Sequence, residues 1–139
     1  MKKLLALLFS LFFLSSPSVF AETVLYCQSE LRTGIAFKEQ TWQTGSFKSK
    51  RMTMKFNENY SELSISSSFD KLYCKKPYLN DSGTTDENLI YCASKTYNDE
   101  LLRYSKKTKR FVHYFSPYNG YLDGGKDTDI LTAGTCEKF

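Results

Sequence analysis

His113 is the only histidine in the chain, and it stands in the run Phe111-Val112-His113-Tyr114-Phe115. An acid–base centre would have to be assembled around it with a hydroxyl nucleophile. The cysteines read as disulfide partners, and no G-x-S-x-G pattern occurs. On a strand, alternation places His113 on the face of Phe111 and Phe115, the setting of a packed or rim imidazole rather than of a base. No enzyme activity is therefore expected.

Metal chemistry is equally thin. Asp123, Asp127 and Asp129 cluster around Gly124 and Gly125, and calcium is held by carboxylates gathered in one tight loop. Their spacing does not fit the helix-flanked calcium loop, no glutamate closes it, and Lys126 lies in the middle, so a solvated turn is the simpler reading. Zinc would need close cysteine pairs or further histidines, and neither is present. No metal or cofactor is expected. The basic runs Lys48–Arg51 and Lys106–Arg110 fall at bends or strand starts, where lysines keep sheet edges from pairing with other chains. Nucleic acid is not an expected partner.

The aromatic residues carry more information. Tyr114, Phe115, Tyr118 and Tyr121 crowd a segment that also holds Pro117, Asn119 and Gly120, and Trp42 is the only tryptophan. At loop ends, tyrosine and tryptophan bring large apolar area and a hydrogen-bonding edge at low entropy cost, which suits contact with proteins or sugars. Trp42, Tyr114, Tyr118 and Tyr121 are accordingly the candidate binding residues. The competing assignment for the same rings is the core of a small domain.

The four cysteines are Cys27, Cys74, Cys92 and Cys136, an even count that reads as two disulfides in an exported chain of this size. Counting alone leaves three pairings open. The triplet Leu25-Tyr26-Cys27 recurs as Leu72-Tyr73-Cys74 and Ile90-Tyr91-Cys92. In a strand each triplet turns the aliphatic residue and the cysteine to one face and the tyrosine to the other. A hairpin folded about Gly83, in the polar loop from Asn80 to Thr85, sets Cys74 opposite Cys92 at disulfide range. That leaves Cys27 and Cys136 to tie the first strand to the last.

The elements that must position these residues are strands. Beyond residue 21, alanine occurs only at Ala36, Ala93 and Ala133, while Thr, Tyr, Phe and Ser are abundant. Met52, Met54 and Phe56 alternate with polar residues, as do Leu63 and Ile65, which is the period of an antiparallel sheet with one wet face. Strands are expected near 23–29, 34–42, 47–57, 60–66, 69–75, 88–94, 100–105, 110–116 and 128–137. A short helix is the alternative for the segment after Asn98, where Asn98 would cap Asp99-Glu100-Leu101-Leu102. The fold class is all-β: a single antiparallel β-sandwich or small closed barrel with two disulfides.

Residues 1–21 carry the layout of a secretory signal: Lys2 and Lys3, the apolar run Leu4–Leu14, then Val19-Phe20-Ala21 before the expected cut. That run is too short for a hydrocarbon core needing about 20 residues. Residues 22–139 are then one β-rich domain, periplasmic or secreted, with no transmembrane segment. Removing Lys2 and Lys3 leaves 17 of the 19 basic residues against 15 acidic ones, a net charge of +2. That is too little to mark a strongly basic, partner-seeking protein.

With no catalytic set, the expected function is an exported binding module recognising a protein or an envelope glycan through loop-end aromatic residues. Two other functions are compatible with the class. Small exported, disulfide-bonded β-barrels include bacterial inhibitors of lysozyme, and the early tyrosine-cysteine strand start with the late cysteine is loosely similar to theirs. The serine-glycine-alanine-x-tyrosine stretch of those inhibitors is absent, so none of their residues is carried over. A barrel could also enclose a small apolar ligand, which would require a cavity of about several hundred Å3.

Overall fold

The computed structural model describes residues 22–68, 70–75, 78–79, 82–95, 99–116 and 128–138. The strands are β1 (Thr23–Lys38), β2 (Thr41–Ser46), β3 (Arg51–Phe56), β4 (Glu62–Ile65), β5 (Lys71–Lys75), β6 (Tyr78–Leu79), β7 (Thr85–Asp86), β8 (Leu89–Ala93), β9 (Asp99–Ser105), β10 (Arg110–Ser116) and β11 (Asp129–Lys138). Strands β1, β3, β4, β5, β8, β9, β10 and β11 pair in that order, each antiparallel to the next, and β11 pairs with β1. The sheet therefore closes into an eight-stranded up-and-down barrel, which removes the free edges an open sheet would expose.

Period-two patterning fills the interior. Leu25, Met54, Phe56, Leu63, Leu72, Ile90, Leu102 and Phe111 all point inward and are buried. Tyr104 joins them, its ring stacked on that of Phe56 with centroids 5.7 Å apart. The three aliphatic-tyrosine-cysteine triplets behave as alternation requires: Leu25, Leu72 and Ile90 face the core while Tyr26 and Tyr73 face outward. Both disulfides form as expected, Cys27–Cys136 across the β1–β11 closure and Cys74–Cys92 across β5 and β8. In each case the two cysteines are directly opposed in the ladder. The small β6–β7 hairpin caps the excursion between β5 and β8.

Two local expectations are corrected. The segment 34–42 is not a separate strand: β1 runs unbroken from residue 23 to 38, and the chain reverses at Glu39-Gln40, both with positive φ (51° and 62°). This is the conformation of a two-residue hairpin turn, normally carried by Asn-Gly or Asp-Gly, so the ordinary turn signal is missing. The segment 47–57 becomes a strand only at Arg51, because residues 47–50 lie opposite the irregularity that β1 makes between Ser29 and Leu31. The strand expected near 100–105 is β9, and the helix offered as its alternative does not form; Glu100, Leu102 and Tyr104 alternate inward.

The register of β1 with β2 and with β3 is one continuous register, from Lys38↔Thr41 to Thr23↔Phe56. The two chain halves thus form a single long hairpin. β1 is built into the barrel wall as far as Ile35, its last partner on β11, and the hairpin tip beyond it extends past β11, with all six residues of β2 exposed. Close approach of β1 to β11 depends on Gly34 and Gly134. A Cβ at Gly34 would lie 2.4 Å from the Asp129 carbonyl oxygen, and one at Gly134 would lie 2.1 Å from that of Gln28.

Candidate functional site

Cross-strand registers assemble the outer surface row by row. One outward row runs Leu31, Ala133, Val112 and Arg103 across β1, β11, β10 and β9. The next runs Thr33, Leu131, Tyr114 and Leu101. Above them Ile35 and Phe37 continue along β1 onto the projecting hairpin, where Phe37 faces Trp42 with ring centroids 5.1 Å apart in an edge-on arrangement. Leu31, Ile35, Phe37, Trp42, Val112 and Leu131 are each between 42% and 58% exposed. Contiguous apolar side chains of this size on one wall make it the candidate contact surface, since monomeric proteins rarely leave them to water.

The opposite wall is polar. Lys55, Ser64 and Lys71 form its central row across β3, β4 and β5. Lys71 donates to Glu62 at 3.0 Å, and that hydrogen bond and the carboxylate charge raise the Lys71 ammonium above its ordinary pKa. Lys95 lies 3.8 Å from the centroid of the Tyr73 ring. Against this wall the apolar one stands out as a distinct surface rather than scattered exposure.

Of the four candidate binding residues, Trp42 sits on the projecting hairpin and Tyr114 lies half-buried in the apolar wall. They belong to the same outer surface of adjoining strands. Tyr118 and Tyr121 lie outside the described residues, as do Asp123 and Asp127. Asp129 begins β11 and accepts a hydrogen bond from Ser116. Among the described residues no group of three or more His, Cys, Asp or Glu side chains could hold a metal ion. The aliphatic members of the wall, Leu31, Ile35, Val112 and Leu131, had no prior signal beyond alternation, because an outward-facing leucine on a strand reads the same as an inward one until the register is known.

Inside the barrel the lower part is occupied by the side chains of the apolar core. The upper part is polar. Glu100, 1% exposed, accepts from Ser68 Oγ at 2.5 Å and lies 2.7 Å from His113 Nε2. His113 shares the inward face of Phe111, as alternation requires, and is itself buried. The acid thus stands between the hydroxyl and the imidazole, whereas a serine hydrolase sets its hydroxyl directly against the imidazole. With the carboxylate ionised, its hydrogen bond fixes the proton of a neutral His113 on Nε2.

Comparison with known protein families, characterised proteins and solved structures finds no match to this chain. The class rests on the fold and the surface: a disulfide-closed, eight-stranded antiparallel barrel with one apolar outer wall.

Proposed function

We propose that this protein is an exported binding module whose partner is another protein, held against the apolar wall and the projecting hairpin. The observation that carries this reading is the contiguity of Leu31, Ile35, Phe37, Trp42, Val112 and Leu131 on one side of a barrel whose other side is charged. Aliphatic side chains predominate in the wall. A sugar platform would instead combine aromatic faces with carboxylates and amides, so the composition favours a protein over a glycan. Export is supported by the signal-like residues 1–21 and by two disulfides, which persist in oxidising compartments.

The test is affinity capture from envelope extract with the disulfide-bonded protein and three variants. Wild type and Ser64→Lys, a change on the polar wall, should retain the same specific protein. Trp42→Ala and Leu131→Lys should lose it while keeping the barrel's circular dichroism. Equal capture by all four proteins, or loss only with Ser64→Lys, contradicts the assignment of the surface.

A further inference from the structure

At the upper end of the barrel the inward faces of β1, β11 and β10 align Arg32, Thr132 and His113 in one cross-strand row. These three line a cavity of about 200 Å3 together with Lys50, Glu100, Met52, Phe115 and Ile130. Thr132 is 3% exposed, and no hydrogen-bond partner for its hydroxyl exists among the described residues. The His113 side chain is 9% exposed, and its Nδ1 likewise has no partner among them once Glu100 holds Nε2. Buried polar groups ordinarily find partners, so an unpartnered buried hydroxyl on the wall of this cavity calls for an occupant.

The charges decide its sign. Glu100 is already engaged by Ser68 and His113. Arg32 spends one nitrogen on the Lys48 carbonyl, and neither Arg32 nor Lys50 has an ion pair among the described residues. Two cations against one committed carboxylate leave the cavity short of negative charge. Met52, Phe115 and Ile130 then supply an apolar surface beside the polar row, which a bare inorganic anion would leave unused.

We infer that this cavity binds a short-chain organic carboxylate. Its carboxylate would accept from Arg32 and the Thr132 hydroxyl with Lys50 nearby, and its hydrocarbon portion would lie against Met52, Phe115 and Ile130, beside the His113 ring. The volume is below the range of about 300–1,000 Å3 usual for drug-sized ligands, so the ligand is a small one. This site is separate from the apolar outer wall and does not depend on it.

His113 is the only histidine, so its ring signals in a nitrogen-edited NMR spectrum report this cavity alone. Butyrate is titrated into the disulfide-bonded protein at constant ionic strength, with butyramide and inorganic phosphate as controls. Butyrate should shift the His113 ring signals saturably, and butyramide should not. Phosphate should bind at least about tenfold more weakly than butyrate for want of apolar contact. Arg32→Gln and Lys50→Gln, both at the cavity rim, should each weaken butyrate about tenfold or more while the amide spectrum stays that of the folded barrel. Thr132→Val, which keeps the side-chain shape, should weaken it too. The inference is overturned by a lack of saturable shift with butyrate, by an equal response to butyramide or phosphate, or by undiminished binding in the Arg32→Gln, Lys50→Gln double variant.

Discussion

Tyr104 shows how position alone changes the chemistry of a residue. Its ring lies in the core against Phe56, and burial raises its phenol above the ordinary pKa because the charged phenolate would be desolvated. A folded-state pKa above the unfolded one means a contribution fully present below the unfolded value of about 10 and lost as pH rises through the folded value. Urea unfolding should therefore show stability falling above about pH 10, and Tyr104→Phe should reduce that fall. An unchanged alkaline slope in the variant would contradict it. The inward placement of Tyr104 follows from alternation with Leu102, and the same alternation makes the three cysteine triplets readable. Glu100 was not readable. Asp99-Glu100 after Asn98 looks like a capped helix start, and only the pairing of β9 with β10 brings His113 to within hydrogen-bonding range of its carboxylate.

Among the elements, the long hairpin of β1 with β2 and β3 does most to shape the surface. Its turn gives no sequence signal because Glu39 and Gln40 adopt left-handed backbone without glycine, asparagine or aspartate. The strands β4, β5, β8, β9, β10 and β11 are legible because clear period-two patterns end at recognisable turns. Asn57 is one such turn residue: its side-chain oxygen accepts from the Ser61 and Glu62 backbone amides at 2.8 and 3.1 Å. Two glycines of the hairpin and its neighbour separate packing from mere sequence type. Gly134→Ala should destabilise the barrel by about 1–3 kcal/mol, toward the upper end because the added Cβ meets the backbone of Gln28 and Ser29 rather than a movable side chain. Gly45→Ala, with nothing within 4 Å of the new Cβ, should be neutral or mildly stabilising. Chemical denaturation of the two variants checks the pair, and similar costs at both sites would contradict the close approach of β1 and β11.

For the whole molecule, closure is the organising event, and the cysteines made much of it legible in advance. Their opposition about Gly83 indicated one bridge, and the remaining pair could then only join the first strand to the last. The barrel end carrying the polar cavity was not legible, because Arg32, Thr132 and His113 meet only when β1 and β10 both pair with β11. Cys27–Cys136 closes a sequence separation of 109 residues and Cys74–Cys92 one of 18. In the chain-entropy account the longer loop is worth nearly 5 kcal/mol and the shorter about 3. Cys27→Ala with Cys136→Ala should therefore lower the denaturation midpoint more than Cys74→Ala with Cys92→Ala, and the reverse order would contradict that account.

The surface assigned to partner binding is tested most directly by photo-crosslinking in intact envelopes, with benzoylphenylalanine placed singly at positions 35, 42, 64, 71 and 131. One partner adduct is expected from Ile35, Trp42 and Leu131 and none from Ser64 or Lys71. Adducts from Ser64 or Lys71 with none from the apolar wall, or no adduct from any position, would contradict it.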